Sequence, residues 1–477
     1  MEDNISSILQ DNMNTIRDIF KHSSDIVYTD FESYSGVKAI IIYIDGVVEK
    51  DSLNQDVITP FILEYKNDSI KKCIHVAANV EISTMQEAID KILEFQAVMF
   101  LDGFNIAYAI DAKGWDKRTI EEPESEIVIR GSKEGFVETI RINTSMLRRK
   151  IKNPNLVFEA LKLGRQTKTD VAIAYIDGIA NKDILDELRK RLSLIDIDGV
   201  LESGYIEEYI EDSHVSPFST IGNTQKPDRV AAKLLEGRIA ILCDGTPHVL
   251  TVPYLFIEHL QSSEDYYMRP YIASFLRALR IFAFFVSVFL PALYVALQTF
   301  HQEMIPTTLL IRMAAAKEGL PFPTAAEAFF MILMFELLRE SGTRLPRQVG
   351  SAVSIVGALV IGEAAVNAGI VSGTMVIVTS ITAICSFIVS SLSEVMVIYR
   401  LVFLFLGGFM GLYGIACGIA VTVAHAVSIK TFGVPYMFPL APFNIEGMKD
   451  YEIRFPLFKM IKRPKFIVNK NIKRRRK

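Results

Sequence analysis

Five polar residues stand in or beside long apolar stretches of this chain, and their side chains are suited to handling ions. Glu363 and Asn367 are four residues apart, so on a helix they would lie on one face. Glu336, Glu394 and Arg400 are the other three. An ionisable group in hydrocarbon costs several kcal/mol unless it faces protein or water, so such groups often mark an ion pathway. The alternative is that Glu363 is protonated and hydrogen-bonded between packed helices.

Four Asp-Gly pairs in the first half each follow an apolar run of strand length. A phosphotransferase with an aspartyl nucleophile begins in this way but needs a second aspartate two residues later. Those positions hold Val47, Phe104, Ile179 and Thr246. We therefore interpret the pairs as turns with glycine at positive φ. The seven histidines and four cysteines are scattered, so the sequence predicts no catalytic residue, no metal site and no cofactor.

Four apolar runs in the second half have the length of membrane-spanning helices. About 20 helical residues cover the roughly 30 Å of bilayer hydrocarbon. Backbone amides there must be satisfied within their own segment, which favours helices. The runs are Ile281–Thr299, Val349–Val371, Thr374–Leu392 and Leu401–Ile429. We therefore predict an α-helical polytopic membrane bundle over residues 274–430, with four spans.

The region 304–346 leaves a fifth span open. Its apolar fragment Ala325–Leu338 is short and carries Glu327 and Glu336, which favours a re-entrant or interfacial helix, or a helix buried against its neighbours. Four spans place both ends of the chain on one side of the membrane. The C-terminal segment 431–477 supports this, because 10 of its last 19 residues are Lys or Arg, as expected for a cytoplasmic tail near anionic lipid.

Before the bundle, the Asp-Gly strands and intervening helices predict two similar small α/β subdomains, at 37–115 and 170–270. Their strands are continuously apolar, which predicts sheets covered on both faces. Residues 1–36 have helical spacing and are predicted to form an N-terminal helical segment. The first residues lack a basic region followed by an apolar core, so this half is expected on the cytoplasmic side.

Residues 116–169 form a charged connector between the subdomains. We predict a docking surface there, for a partner or a neighbouring copy. The alternative is a set of exposed ion pairs within the chain, each of small energetic value. The candidate docking residues are Arg130, Glu134, Glu138, Arg141, Arg148 and Arg149.

Several long strings resemble the A subunit of the GerA family of spore germination nutrient receptors. They are "IRGSKEGFVETIRINTSMLRRKIKNPNL", "PALYVALQTFHQEMIPTTLL", "FELLRESGTRLPRQVGSAVSIVGALVIGEAAVNAGIVSG" and "FGVPYMFPLAPF". The resemblance covers residues from about 120 to 465. It departs from the family at Gly373 and in "CSFIVSSLSE", where the family often has prolines.

The resemblance implies a receptor complex in the inner membrane of a bacterial spore. The A subunit would work with a permease-like B subunit and a lipoprotein C subunit, form a homo-oligomer, and act as a gated cation channel when nutrients trigger germination. Membrane lipid is an expected partner and nucleic acid is not. The alternatives are a membrane-anchored enzyme, which the missing catalytic signatures disfavour, and a secondary transporter subunit, which the absence of repeated broken helices disfavours.

Overall fold

The computed structural model describes residues 4–65, 79–114, 126, 128, 130–344, 362–468, 473 and 474. Its N-terminal half contains two five-stranded sheets. The first sheet contains β1 (Ile26–Glu32), β2 (Lys38–Ile44), β3 (Asn79–Ile82), β4 (Ala97–Leu101) and β5 (Ala107–Ile110). The second contains β6 (Leu156–Leu163), β7 (Thr169–Ile176), β8 (Gly222–Thr224), β9 (Ile239–Cys243) and β10 (Val249–Val252). A two-stranded ribbon of β11 (Lys430–Thr431) and β12 (Val434–Pro435) lies near the C-terminus.

Helices flank both sheets and form the C-terminal half. Those of the N-terminal half are α1 (Leu9–Ile19), α2 (Lys50–Leu53), α3 (Thr59–Glu64), α4 (Met85–Leu93), α5 (Ile140–Lys150), α6 (Lys182–Ser193), α7 (Ser203–Ile210) and α8 (Pro227–Leu235). A π-helical turn, Asn54–Ile58, joins α2 to α3. Those of the C-terminal half are α9 (Pro270–Thr299), α10 (Thr307–Ala315), α11 (Thr324–Arg344), α12 (Gly373–Ile388) and α13 (Ser393–Ser428).

The two sheets repeat one topology. The strand orders are β1-β2-β4-β5-β3 and β6-β7-β9-β10-β8, and all neighbours are antiparallel. This agrees with the two similar α/β subdomains expected from the Asp-Gly strands. The sheets extend beyond the predicted ranges, because β1 lies within 1–36 and β6 within 116–169. Both edge strands follow a helix, and they were missed because their alternating polar residues weaken the apolar pattern.

Alternate residues of β7 explain its continuous apolar sequence. Ile173 and Tyr175 pack in the cluster that includes α6 and α7, whereas Ala172 and Ala174 pack in the cluster that includes α5 and α8. Both faces of the second sheet are therefore covered by helices, as predicted. Each fully buried Val, Leu or Ile side chain in such a layer stabilises the fold by about 1.5–3 kcal/mol.

The Asp-Gly pairs form turns, which confirms their structural interpretation. Their glycines all have positive φ, between 79° and 88°, at Gly46, Gly103, Gly178 and Gly245. In the second pair of each subdomain the aspartate also caps a helix. Asp102 Oδ1 accepts a hydrogen bond from Leu9 N at the start of α1, and Asp244 Oδ1 accepts one from Ile140 N at the start of α5. The duplication therefore extends to individual hydrogen bonds, and these carboxylates have structural partners.

The long helix α13 folds back on itself at Gly411, whose φ of 60° and ψ of −146° interrupt the helix. A Cβ at Gly418 would lie 2.7 Å from Phe403 Cε1, although these residues would be about 22 Å apart along a straight helix. The hairpin has an outgoing arm, 393–410, and a returning arm, 412–428, each about 27 Å long. The prediction that Leu401–Ile429 forms one continuous span is therefore wrong, because the chain reverses its direction at Gly411.

Both ends of this hairpin contact the second subdomain. Ser391 Oγ, just before α13, donates a hydrogen bond to the His259 carbonyl oxygen. His425, in the returning arm, has its Nε2 2.9 Å from Ser216 Oγ. The turn at Gly411 instead lies against Phe300, at the end of α9 remote from the subdomains, which we call the distal end of the bundle.

The number of predicted spans is only partly matched. Within the described ranges, two helical stretches are long and apolar enough to cross a membrane, Pro270–Thr299 and Ser390–Ser428, of which the second is the hairpin that reverses at Gly411, and Gly373–Ile388 is a shorter apolar helix. The four-span prediction is therefore not confirmed. Most of the predicted span Val349–Val371 lies outside the described residues. In the region 304–346, α11 packs against α9, α12 and α13 with one face, while Phe330, Leu333 and Leu337 of the same helix are exposed.

The C-terminal segment returns to the N-terminal half. Phe256 N donates a hydrogen bond to the Tyr436 carbonyl oxygen at 3.1 Å. Asp450 Oδ1 accepts one at 2.8 Å from Nη1 of Arg277, near the start of α9. The subdomains and residues 430–468 therefore lie at the same end of the bundle.

Candidate functional site

Arg400 lies in the outgoing arm of α13 and is held by two neighbouring helices. Its Nη1 donates to Glu336 Oε1 of α11 at 2.7 Å. Its Nε donates to the Ser287 carbonyl oxygen of α9 at 2.9 Å, and its Nη2 donates to Ser287 Oγ at 3.0 Å. The side chain of Arg400 is 0% exposed and that of Glu336 is 17% exposed. The structure thus brings together two of the five predicted residues, and it joins three helices through them.

Glu336 balances the buried positive charge of Arg400. An arginine side chain stays protonated in proteins, so burial cannot be relieved by loss of the proton. Glu336 has a second cation nearby, because Arg339 Nη2 lies 2.9 Å from its Oε2, but Arg339 is 28% exposed. The carboxylate of Glu336 therefore balances one fully buried and one partly exposed guanidinium.

A second polar cluster lies at the distal end and centres on Glu327, which is 1% exposed. Its Oε1 accepts hydrogen bonds from the backbone N and the Oγ of Ser372, the N-cap residue of α12. Its Oε2 faces Lys317 Nζ at 3.7 Å. The sequence indicated Glu327 only as a charge in a short apolar fragment, because Ser372 is 45 residues away and their proximity is decided by packing.

Glu394 lies apart from Arg400, in the wall of a cavity of about 670 Å³ between the second subdomain and the bundle. The cavity is lined by acidic side chains from both sides, Glu394 from α13 and Glu207 and Glu211 from the end of α7. His259, which is 9% exposed, also lines it. This cavity therefore joins α7 to the hairpin through groups whose charge depends on pH.

Burial raises the pKa of Glu207 from 4.5 to about 7, and the nearby carboxylates Glu211, Glu202 and Glu394 add to the effect against the hydrogen bond from Ser219. Burial also raises the pKa of Glu211. In contrast, burial lowers the pKa of His259 to about 4, so near neutral pH this ring is uncharged. The cavity therefore gains negative charge as the pH rises through 7.

We expect the contribution of Glu207 to the stability of the protein to fall as the pH rises from about 5 to 8, whereas the lowered pKa of His259 acts in the opposite direction below about pH 6.5. The folded state keeps the Glu207 proton at pH values where the unfolded state has lost it, so deprotonation favours unfolding. A shift of one pKa unit corresponds to about 1.4 kcal/mol. Because the site is partly exposed and solvent screens its charge, we expect the free energy of unfolding to decrease by about 2 kcal/mol. Glu207→Gln should flatten this dependence in thermal unfolding of the detergent-solubilised chain. Glu32→Gln, at an exposed position of the first subdomain, should leave the slope unchanged, and a Glu207→Gln profile with the same slope as the wild type would contradict the assignment.

Glu363 and Asn367 lie in a short helical segment, 362–367, and both are exposed in the single chain. Their shared segment precedes the distal Ser372, and they lie apart from the Arg400 contacts described above. The sequence predicts that both lie inside a membrane span. In the single chain both side chains lie on the outer surface of the bundle. A neighbouring copy or a water-filled path would contact them there.

Arg148 is not part of a docking surface, which corrects the prediction for that residue. It is 0% exposed and forms a buried ion pair with Asp25, at the start of the first sheet. Its Nε and Nη2 donate to the two Asp25 oxygens at 2.9 Å each, and its Nη1 donates to the Asn153 carbonyl oxygen at 3.0 Å. Arg148 is therefore a clamp between the two subdomains.

Other connector residues also have contacts within the chain. Arg149 Nη2 lies 3.1 Å from Glu134 Oε1. Arg141 Nη1 donates to the Ser24 carbonyl oxygen at 3.2 Å, again linking the subdomains. Arg130, Glu138 and Arg141 are exposed. Some charged residues of the connector therefore form contacts within the chain. For the exposed residues a docking role stays a prediction.

The chemistry available to this arrangement is charge balance and ion binding. Among the described residues, no three His, Cys, Asp or Glu side chains are grouped in a way that could hold a metal ion. The buried ionisable groups lie along the bundle at three levels, at the cavity, around Arg400 and at the distal Glu327. At the first of these levels the second subdomain contacts the helices directly.

Comparisons with known proteins give one family. The family model described as Bacillus/Clostridium GerA spore germination protein matches residues 14–466. Spore germination protein KA of Bacillus subtilis (strain 168) is 44% identical, over 93% of this chain and 84% of its own length. A protein of the same organism named "Uncharacterized membrane protein YfkQ" is 41% identical, over 97% and 93%.

A solved structure is also similar in sequence. It is the crystal structure of the N-terminal domain of the A subunit of the Bacillus megaterium spore germinant receptor GerK3. Its identity to this chain is 34%, and the match covers 54% of this chain and 98% of that one, with a TM-score of 0.42.

Proposed function

Because this chain belongs to the GerA family of spore germination proteins, we propose that it is the A subunit of a germinant receptor in the spore inner membrane. In this role it forms a homo-oligomer and opens a cation path when nutrients are sensed. The relatives named for spore germination support the germination role. The channel activity is our inference from the resemblance and from the buried charges of the bundle.

One observation carries the gating part of this proposal. The outgoing and returning arms of α13 both end on the second subdomain, through Ser391 and His425. A rotation of that subdomain would therefore move two packed helices at once, including the arm that carries Arg400. A ligand shifts such an equilibrium only through different affinity for the two states, and the acid-lined cavity at this junction changes shape with any such rotation.

The proposed cation path includes Glu363 and Asn367, because they are polar, intramembrane by sequence and exposed in a single chain. In a ring of subunits, exposed polar residues of this kind can face a central path, where rings of carboxylates favour cations. Glu394 lies at the cavity end of the same bundle. Glu336 and Arg400 would act by holding the helices around the path.

The test is cation flux from liposomes that contain the purified chain. We expect K⁺ flux from the wild-type protein and a several-fold lower flux from Glu363→Gln, since the ring loses its negative charge while the side-chain shape is kept. Asn367→Ala should alter flux in the same assay. Glu318→Gln, an exposed acid outside the segment, is the control. Unchanged flux in Glu363→Gln at equal protein content would remove this residue from the path, and no flux at all would remove the channel.

Partners and orientation are part of the same proposal. A permease-like B subunit and a lipoprotein C subunit would dock on the exposed connector residues, with Arg130, Glu138 and Arg141 as candidates. Both the subdomains and the C-terminal segment would face the spore core, because they share one end of the bundle. We expect charge reversal at Arg130 and Glu138 to reduce co-purification of the B and C subunits, and unchanged co-purification would argue against this docking site.

A cysteine introduced at Ser213 should stay unlabelled when intact cells are treated with an impermeant reagent, and its labelling would argue against the orientation.

A further inference from the structure

The distal cluster around Glu327 contains a buried carboxylate oxygen with no hydrogen-bond donor. Glu327 Oε2 is buried and lacks a hydrogen-bond partner in the structure, although the residue is only 1% exposed. The nearest charge is the ammonium of Lys317, at 3.7 Å. An ionised carboxylate in such a place needs a cation beside it, because burial of an unpaired charge is strongly unfavourable.

Uncharged oxygens lie beside Lys317 Nζ and beside the Ser372 hydroxyl that donates to Glu327. Lys317 Nζ donates to Thr324 Oγ1, which itself lies 3.4 Å from Gln298 Oε1. Tyr294 OH lies 2.7 Å from Thr374 Oγ1, and Lys317 Nζ is 5.9 Å from the centre of the Tyr294 ring. The niche, which we define by its oxygen-bearing side chains, consists of Tyr294, Gln298, Thr324, Glu327, Ser372 and Thr374.

This oxygen set suits a monovalent cation. It has one formal negative charge, from Glu327, and the remaining oxygens belong to hydroxyl and amide groups. Ca²⁺ and Mg²⁺ are usually held by several carboxylates, whereas K⁺ is bound where neutral oxygens replace its hydration shell. A single positive charge balances the niche, whether an ammonium or an alkali ion supplies it.

Lys317 is attached loosely enough to exchange with such an ion. Its side chain is 22% exposed, and it follows α10 in a surface segment whose neighbours Ala316 and Glu318 are exposed. Gly319, two residues later, has a φ of 85°, so the segment turns away from the bundle there.

We propose that the niche around Glu327 is a binding site for a monovalent metal cation, K⁺ or Na⁺, and that the Lys317 ammonium fills it as a tethered competitor. When the ammonium leaves, an alkali ion takes its place between Glu327 and the neutral oxygens. Occupancy of the site does not depend on conduction. A part for it at the distal mouth of an ion path rests on the proposed function.

The first test uses thermal unfolding of the purified full chain in KCl, NaCl or choline chloride at one ionic strength. Lys317→Gln should gain several degrees in Tm when K⁺ or Na⁺ replaces choline, because a ligand that binds only the folded state stabilises it. The double variant Lys317→Gln/Glu327→Gln should lose that gain. Arg312→Gln, which removes a positive charge from an exposed position of α10, should behave like the wild type. An equal response in the single and double variants would overturn the proposal.

The second test needs no variant and so does not depend on the stability of Lys317→Gln. In the wild-type chain, an amine-acylating reagent should modify Lys317 several-fold faster in KCl or NaCl than in choline chloride, as measured by mass spectrometry of the Lys317 peptide. Lys449, which is paired with Glu446 far from the niche, is the internal reference. A Lys317 rate that tracks Lys449 in all three salts would overturn the proposal. Neither test measures flux, so a chain that binds K⁺ here but conducts nothing would refute only the channel.

Discussion

Replacement of Glu336 by leucine is expected to destabilise the helical bundle by about 3–5 kcal/mol, because it leaves the buried charge of Arg400 without a counter-ion. Arg400 is 0% exposed, and its remaining partners would be the two oxygens of Ser287. The measurement is the amount of folded protein in membranes, together with the unfolding temperature in detergent. Loss of most of the folded chain is the expected result.

Related variants should differ from Glu336→Leu in stability in a defined order. Arg400→Met should be milder than Glu336→Leu, since Glu336 keeps Arg339 as a partner. The double variant Glu336→Leu/Arg400→Met removes both charges and should recover much of the loss, as buried pairs often do when replaced by apolar side chains. Arg339→Met is the control, because it removes only the partly exposed cation. A double variant no more stable than Glu336→Leu would show that the charge balance is not the cause.

Replacement of Arg148 by alanine is expected to loosen the junction of the two subdomains by about 3–5 kcal/mol, because Asp25 is then a buried carboxylate without its cation. Asp25 is 1% exposed, and it would keep only a hydrogen bond from Ser23 Oγ, at 2.6 Å. Arg148 also packs over the Phe158 ring, at 5.3 Å from its centre, so some packing is lost as well. Limited proteolysis and thermal unfolding of the full chain are the measurements.

The neighbouring residue of α5 provides the matched control for this clamp. Arg149→Ala removes an arginine whose ion pair with Glu134 is partly exposed, and such pairs contribute about 0–1 kcal/mol. Asp25→Ala/Arg148→Ala removes both buried charges and should be more stable than Arg148→Ala. If Arg148→Ala and Arg149→Ala proved equally mild, the subdomains would be held together by other contacts, such as the bond from Ser24 N to the Phe158 carbonyl oxygen.

Glu336→Leu and Arg148→Ala both affect contacts through which a movement of the subdomains would reach the helical bundle. The clamp at Arg148 joins the first subdomain to the second, and the second subdomain touches both ends of α13. The Arg400 cluster then joins α13 to α9 and α11. A loosened clamp would leave the bundle intact but weaken the connection between the first subdomain and the hairpin.

Local patterns were enough to predict much of this architecture. The continuously apolar strands, with Asp-Gly at their ends, predicted two similar α/β subdomains, and the glycine φ values agree with the predicted turns. The buried faces of β7 agree with the expectation of sheets covered on both sides. The long strings shared with the GerA family predicted the family, and the comparison confirms it. These features depend on neighbours in sequence, which is why sequence alone reveals them.

Contacts between distant residues were decided only by the tertiary structure. The apolar run Leu401–Ile429 has the composition of one long span, but in the structure it reverses at Gly411, which packs closely against Phe300 at the end of α9. Arg148 has the same charged neighbours in sequence as the partly exposed Arg149, yet it is buried because it pairs with Asp25, 123 residues earlier. Arg400 likewise finds Glu336 across 64 residues. Hydropathy and charge patterns report composition along the chain, whereas the pairing of a buried charge is determined by which helices and strands pack together.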